Sequence, residues 1–208
     1  MLYPVYKFNF LEELSLFIPN PKEVKAIYEK LVIENEHTLF PFWAKVWPAS
    51  IALTQFLKNH PQWIANKNIL EIGAGIALPS FAIAKLAKNL IISDYAPEAV
   101  ALIEKNISLQ KLTNTKALVL DWNHFPNDVF ADTILLSDIN YAPDQFEALL
   151  NLIQGWLIKE TVIIIATPQR IMANSFVTRI WPFVKHTEIQ TVKEGEVDVD
   201  ISILVLMN

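Results

Sequence analysis

The residues of this chain best suited to binding a small molecule are one acid and two glycines that follow an apolar run. Glu71, Gly73 and Gly75 stand in the sequence Ile-Leu-Glu-Ile-Gly-Ala-Gly-Ile-Ala-Leu-Pro, in which a strand pattern leads through a turn into a helix pattern. Because glycine has no Cβ and tolerates positive φ, a Gly-x-Gly turn lets the backbone approach a ligand closely. A dinucleotide-binding turn needs a third glycine beside the pyrophosphate, and this chain has Leu78 at that position.

The charge of Glu71 narrows the choice of ligand. A carboxylate two residues before the turn would repel a phosphate, whereas it would attract a cationic ligand. S-adenosylmethionine carries a sulfonium and an ammonium group and therefore matches this charge. The turn predicts a site for this methyl donor, and a nicotinamide-dependent oxidoreductase is the weakest alternative.

Further acids follow the next three predicted strands, and they are Asp94, Asp121 and Asp138. Asp94 and Tyr95 come about 20 residues after the turn, where an acid accepts hydrogen bonds from ribose hydroxyls. Asp121 offers an acceptor for the adenine amine, beside the aromatic face of Trp122. Because ligands bind at the carboxyl ends of the strands in such sheets, these side chains are expected to surround one ligand. The predicted cofactor-binding residues are Trp47, Glu71, Gly73, Gly75, Asp94, Tyr95, Asp121, Trp122 and Ser137.

Each of these residues also has a simpler explanation. Asp94 could cap the helix that follows it, and Asp138 with Tyr141 could mark a helix start before Pro143. Trp47 could pack into the core from one face of a helix. The functional interpretation rests on the expectation that these residues converge at one edge of the sheet.

The alternation of strand and helix patterns from residue 68 onward predicts an α/β fold. We expect a Rossmann-like, seven-stranded, mostly parallel sheet with helices on both faces and an antiparallel closing hairpin. The predicted strands are 68–72, 89–93, 116–120, 133–137, 161–166, 186–192 and 199–206. The predicted helices are 21–34, 48–57, 79–87, 97–110, 143–156 and 169–183. Residues 1–38 are predicted to form an N-terminal cap, and residues 39–208 a single compact domain.

Composition excludes several other functions. The chain has 208 residues, 52% of them hydrophobic, and a net charge of −5 with only two arginines, which disfavours nucleic acid binding. It has no cysteine, so disulfides and thiolate zinc sites are excluded. The four histidines lie far apart without ligand spacing, so no metal is predicted. No apolar run reaches the ~20 residues of a membrane helix, and no signal peptide pattern is visible; we expect a soluble cytoplasmic protein.

Taken together, these residues resemble the seven-strand class I methyltransferases that depend on S-adenosylmethionine. The closer resemblance is to the family-16 protein lysine methyltransferases, which carry an aromatic Trp-Pro segment before the first strand and an Asp-x-x-Tyr motif after the fourth. Here these features are Phe42-Trp43-Ala44-Lys45-Val46-Trp47-Pro48 and Asp138-Ile139-Asn140-Tyr141. Within that family the Trp-Pro segment is most similar to that of the enzymes that modify the electron transfer flavoprotein β subunit.

The resemblance implies methyl transfer to a lysine side chain of a protein partner. Asp138 and Tyr141 are then the predicted catalytic residues, and Phe42 and Trp43 the predicted substrate channel, in which aromatic rings desolvate the amine and lower its pKa. An in-line displacement of this kind needs no metal and no covalent residue. A small-molecule N- or O-methyltransferase and a non-catalytic nucleoside-binding module remain alternatives. The oligomeric state stays open.

Two positions depart from the family pattern. Ala77 stands where relatives usually carry a further glycine, and its added methyl beside the methionine moiety would weaken cofactor binding. The Asn-Pro-Pro-Tyr motif of amino-methylating nucleic acid enzymes is replaced by Ile139-Asn140-Tyr141-Ala142. The second departure argues again against a nucleic acid substrate.

Overall fold

The computed structural model describes residues 3–11, 14–126 and 129–208. Residues 1, 2, 12 and 13 of the predicted cap lie outside the described residues. The strands are β1 (Val5–Leu11), β2 (Leu14–Pro19), β3 (Asn68–Ile72), β4 (Asn89–Asp94), β5 (Thr115–Val119), β6 (Thr133–Ser137), β7 (Val162–Pro168), β8 (Val184–Glu194) and β9 (Val197–Leu206). The α-helices are α1 (Pro21–Glu34), α2 (Pro48–Asn59), α3 (Leu78–Ile83), α4 (Pro97–Gln110), α5 (Phe146–Leu157) and α6 (Asn174–Ile180).

The main sheet has seven strands in the order β5-β4-β3-β6-β7-β9-β8. The strands from β5 to β7 pair in parallel, and β9 pairs antiparallel with both β7 and β8. The predicted fold class is therefore confirmed, including the closing hairpin. Strand order reverses between β3 and β6, and the space beyond such a switch point is where ligands bind in open α/β sheets.

Neighbouring residues of β3 pack into different cores, which accounts for helices on both faces of the sheet. Ile69 belongs to an apolar cluster that includes residues of α2 and α4. Leu70 belongs to a second cluster, with residues of α5 and α6. Since successive side chains of a strand point to opposite faces, Glu71 lies on the same side of the sheet as Ile69.

Two predicted helices are shorter in the structure. The helix predicted at 79–87 ends at Ile83, and the side-chain amide of Asn114 donates to the carbonyl oxygens of Ala84 and Ala87 beyond that end. The helix predicted at 169–183 is regular only over α6, with 3-10 turns on either side. Pro182 contributes to its end, because proline has no N–H with which to continue the helical hydrogen bonds.

The N-terminal hairpin of β1 and β2 is held against α4. The amide N–H of Phe17 donates to Asn106 Oδ1 over 2.7 Å, and Asn106 Nδ2 donates to the Phe17 carbonyl over 3.0 Å. Leu16 is fully buried in the same cluster as Ile69. No helix in the described part of the chain combines the length and apolar character that crossing a bilayer requires.

Candidate active site

The glycine turn after β3 needs glycine at both positions for backbone conformation and for space. Gly73 has φ +66° and Gly75 has φ +53°. A Cβ on Gly75 would lie 3.0 Å from the carbonyl oxygen of Trp43, and a Cβ on Gly73 would lie 3.2 Å from Ile139 Cγ2. The Trp-Pro segment and the loop after β6 therefore both pack closely against this turn.

Ala77 also adopts the left-handed conformation, with φ +60° and ψ +33°, at the start of α3. This conformation costs a residue with a Cβ roughly 1–2 kcal/mol. The backbone at this position is thus one that glycine adopts without strain, which is a physical reason for the glycine that the resemblance to the family leads us to expect here. Ala77 borders the same cavity as the turn.

Asp94, at the end of β4, braces the turn. Its Oδ2 accepts the amide N–H of Gly75 over 2.8 Å, and its Oδ1 accepts that of Ala96 over 2.9 Å, at the entry to α4. The side chain is almost completely buried, and burial raises the pKa of Asp94 despite these two bonds. Each oxygen keeps a second lone pair, so the carboxylate can both hold the backbone and accept a ligand hydroxyl.

Glu71 lies behind the turn. Its side chain is fully buried, and its Oε2 accepts the amide N–H of Ser80 in α3 over 3.3 Å. Burial raises the pKa of Glu71 to about 7, and the charge of Asp94 adds to the increase. Glu71 is not among the residues that border the cavity, so it acts on a ligand only through the turn or through its long-range charge.

Three aromatic side chains form a wall beside the turn, which we call the aromatic wall: Phe42, Trp47 and Tyr141. The Phe42 ring centroid lies 5.5 Å from that of Tyr141 and 6.3 Å from that of Trp47. The indole N–H of Trp47 donates to the Phe42 carbonyl over 2.9 Å. Phe42 and Tyr141 are 45% and 39% exposed, so two members of the wall present apolar surface to solvent.

Trp43 differs from the residues of the aromatic wall. It is only 8% exposed, and its ring packs edge-on against Tyr3 with centroids 5.7 Å apart. Its backbone forms the contact with Gly75 described above. Trp43 borders the cavity and at the same time belongs to the core, so a role in a substrate channel stays a prediction.

Asp138 adopts a strained backbone conformation after β6 and is paired with an arginine. Its φ is +54°, and its amide N–H donates to the Ala166 carbonyl over 2.9 Å. Arg170 Nη1 lies 2.5 Å from Asp138 Oδ1, and Nη2 lies 3.2 Å from Oδ2, a bidentate ion pair. Arg170 is not among the residues predicted from the sequence. Its position just after β7 was the available signal, because that strand end belongs to the same sheet edge.

These residues surround two adjoining cavities. The inner cavity, of about 70 Å³, is bordered by the glycine turn, Asp94, Asp138 and the aromatic wall. The outer cavity, of about 540 Å³, is bordered by Asp121, Trp122 and Gln145 and shares Gly73 and Tyr141 with the inner one. Of the predicted site residues, all but Glu71 and Asp121 border the inner cavity: Phe42, Trp43, Trp47, Gly73, Gly75, Asp94, Tyr95, Trp122, Ser137, Asp138 and Tyr141.

The outer cavity has an aromatic side and a polar rim. Trp122 Nε1 donates to Gln145 Oε1 over 3.2 Å, so the indole is held beside Gly73. Asp121 accepts the amide N–H of Asn123 over 2.9 Å and lies 3.0 Å from His124 Nδ1. The bond to His124 is the main reason that the pKa of Asp121 is lowered, so this acid borders the cavity in its ionised form.

The cavities fit S-adenosylmethionine. Backbone without Cβ atoms forms one side, and the buried Asp94 carboxylate offers acceptors to hydroxyls. The buried hydroxyl of Ser137 has no hydrogen-bond partner among the described residues, so it is free for a polar ligand group. Tyr95 and Trp122 border both cavities and supply faces on which a base can stack. Lys45, which lies 4.1 Å from the Trp47 ring centroid, also borders the inner cavity and was missed from the sequence.

The fold and this site define a class I methyltransferase domain, the class that uses S-adenosylmethionine as methyl donor. A lysine methyltransferase family model matches residues 28–181. The chain belongs to this family, and the resemblance seen in its motifs is confirmed.

Individual relatives agree with this assignment. The chain is 30% identical to the mouse histone-arginine methyltransferase METTL23 over 149 residues, 69% of the chain and 56% of the relative. It is 28% identical to the human electron transfer flavoprotein beta subunit lysine methyltransferase over 137 residues, 62% and 50% of the two chains. The matches to METTL23 from four species span 47–63% of the relatives' length.

A solved structure shows the same fold at low identity. The N-methyltransferase NodS from Bradyrhizobium japonicum, in complex with S-adenosyl-L-homocysteine, superposes with a TM-score of 0.64 at 17% identity. The match covers 87% of this chain and 97% of NodS. At this identity the likeness concerns the fold alone.

Proposed function

We propose that this chain is an S-adenosylmethionine-dependent methyltransferase that methylates a lysine side chain of a protein. Family membership supports the reaction, and the adjoining cavities support the cofactor. Bound S-adenosylmethionine supplies an electrophilic methyl group on a sulfonium. The glycine turn, Asp94 and Ser137 bind the donor, and the aromatic wall with Asp138 receives the acceptor.

The aromatic wall prepares a lysine for reaction by removing water. A protonated amine has no lone pair, so lysine must lose its proton before it can accept a methyl group. Burying the amine against Phe42, Trp47 and Tyr141 disfavours its charged form and lowers its pKa. Burial also raises the pKa of the Tyr141 hydroxyl, which therefore stays protonated and can donate a hydrogen bond.

The ion pair between Asp138 and Arg170 is the observation that favours lysine. A free carboxylate beside the wall would stabilise an ammonium group and would hold a guanidinium in two hydrogen bonds. Arg170 already occupies both carboxylate oxygens, so the pair presents little net charge to the acceptor. This arrangement suits an amine that reacts as a neutral group, whereas a guanidinium, which carries a permanent charge, would gain little attraction from a pair that is nearly neutral.

Arginine is the second candidate acceptor, because METTL23 relatives are named histone-arginine methyltransferases. Labelled S-adenosylmethionine, the purified chain and a lysate of its own cells separate the possibilities. One portion of the lysate is acetylated beforehand, which converts lysine amines to amides that cannot accept a methyl group and leaves arginine intact, and a small-molecule filtrate is assayed in parallel.

Label that appears on untreated protein and disappears after blocking supports lysine. Label that survives blocking indicates arginine, and label only in the filtrate indicates a small-molecule methyltransferase. Calorimetry with S-adenosylhomocysteine completes the set. Binding without any transfer supports a nucleoside-binding module, and a lack of binding contradicts every form of the proposal.

A further inference from the structure

A second group of polar side chains lies between the end of α2 and the edge strand β8. His60 directly follows α2, and His186 and Glu188 are two residues apart on β8, so their side chains share one face of that strand. The ring centroids of the two histidines are 5.7 Å apart. One ligand atom from each of the three residues lies within 4.8 Å of the other two.

The distances within this cluster, one of them a hydrogen-bond distance, are close to the spacing of the ligands around an ion. His60 Nε2 lies 3.1 Å from Glu188 Oε2, and His186 Nε2 lies 4.0 Å from the same oxygen. His186 Nε2 is buried and has no hydrogen-bond partner among the described residues. Buried polar atoms normally have a partner. An ion bound between the three side chains would provide the partner that this nitrogen lacks.

The neighbours of the cluster orient its ligand atoms. Glu188 Oε1 accepts a hydrogen bond from Gln190 Nε2 over 2.7 Å, which leaves Oε2 for the cluster. The side-chain amide nitrogen of Gln62 lies 3.4 Å from His60 Nδ1. If the amide group of Gln62 is rotated so that its oxygen faces His60, that oxygen would accept a hydrogen bond from Nδ1–H while His60 Nε2 binds a metal. Phe56 packs against both histidine rings, at 4.4 Å and 5.8 Å between centroids. Such outer contacts orient the ligands in metal sites.

We propose that His60, His186 and Glu188 bind a divalent transition metal, with Zn²⁺ as the best match. Two imidazoles and one carboxylate, with water in the fourth position, are ligands that Zn²⁺ accepts. Bonds of about 2.0–2.1 Å in a tetrahedron place ligand atoms about 3.3 Å apart, a spacing that lies between the two distances to Glu188 Oε2. Mg²⁺ and Ca²⁺ prefer oxygen ligands and fit poorly.

The metal would clamp the edge strand to the helix that leads from the active site. Helix α2 begins directly after Trp47, and its Ser50 borders the inner cavity, whereas His60 follows its other end. Glu188 also borders a surface cavity of about 480 Å³. The role of the metal is structural, because these three residues do not border the inner or the outer cavity.

The test uses tag-free, chelator-treated protein titrated with ZnCl₂. We expect one bound ion per chain. At a free concentration 100 times the Kd, binding to the folded state raises the folding equilibrium constant about 100-fold and the melting temperature by about 5–10 °C. Co²⁺ in the same site is expected to give the visible absorption of a four-coordinate ion.

The variants His60→Gln and His186→Gln are expected to lose stoichiometric binding and the Zn²⁺-dependent shift. His37→Gln is the matched control, because the His37 side chain is exposed, lies outside the cluster and has the Glu36 carboxylate 3.9 Å from its Nε2. Circular dichroism without metal verifies that each variant folds, and the other histidine variant serves if one does not. Equal Zn²⁺ binding by His60→Gln and His37→Gln, or no stoichiometric binding by the parent chain, overturns the proposal.

Discussion

The four glycines of the chain form a graded test of the site, because each becomes alanine in a different setting. At Gly155, in the exposed last turn of α5, an added Cβ meets nothing within 4 Å, and the backbone is helical. Gly195, in the turn between β8 and β9, has φ +64° and also open space. Gly73 and Gly75 combine positive φ with close neighbours. The series separates backbone strain from steric contact.

The expected changes in unfolding free energy follow from these contacts. Gly155→Ala should stabilise the fold by up to about 1 kcal/mol through helix propensity. Gly195→Ala should cost about 1 kcal/mol, because the strain of positive φ exceeds the smaller entropy of the unfolded chain. Gly75→Ala adds overpacking against the Trp43 carbonyl, so its total cost is about 2–4 kcal/mol. Gly73→Ala should fall between these two, since its nearest neighbour is a side-chain methyl of Ile139 that can move.

Thermal unfolding measures the relative stabilities of the four variants, and calorimetry with S-adenosylhomocysteine measures whether the site still binds the nucleoside. For a chain of this size, 1 kcal/mol corresponds to about 2–4 °C, so Gly75→Ala should melt roughly 4–16 °C below the parent. Gly195→Ala should bind the nucleoside as the parent does, whereas Gly75→Ala should not. If Gly75→Ala has the same melting temperature as Gly195→Ala and still binds S-adenosylhomocysteine, then the close approach of Trp43 to the turn does not constrain the site.

Three further perturbations address the charges of the site. The pKa of Glu71 is about 7 in the folded chain against an ordinary 4.5, so the free energy of unfolding should fall by up to about 3 kcal/mol as pH rises between these values. Glu71→Gln should remove that loss. Denaturation curves at pH 5 and pH 8 would refute this if the difference in unfolding free energy between variant and parent is the same at both pH values. Asp94→Asn should weaken S-adenosylhomocysteine binding about 10- to 100-fold by calorimetry, with the exposed Asp198→Asn as an unchanged control. Arg170→Met should free the Asp138 carboxylate and move the pH–rate profile for a lysine acceptor to higher pH by about one pH unit. The control Arg179→Met, which removes an exposed ion pair with Glu147, should leave the profile in place. Identical profiles for the two variants would contradict the role given to Arg170.

Much of the fold followed from local patterns in the chain. Every predicted strand of the main sheet is present with bounds that agree to within about two residues. Most of these strands are short apolar runs bounded by polar residues, and the closing hairpin is marked by the turn at Gly195, so each signal lies in residues that are neighbours in sequence. Helix ends were less predictable, because contacts such as those of the Asn114 amide with Ala84 and Ala87 join segments that are distant in sequence.

The sequence by itself determined the class of fold, the glycine turn and the set of acids at the carboxyl ends of the strands. It could do so because a parallel sheet brings those ends to one edge whatever the details of packing. The family could be recognised for the same reason, because the glycine turn and the Asp-x-x-Tyr motif lie at those strand ends.

Only the tertiary structure decided how the individual side chains are used. It places Glu71 behind the turn, pairs Asp138 with Arg170, and buries Trp43 against Tyr3. It also brings His60 to His186 and Glu188, although the spacing of histidines along the chain contains no sign of that cluster. These contacts join residues far apart in sequence, and they depend on how helices and loops pack against the sheet, which short-range patterns do not specify.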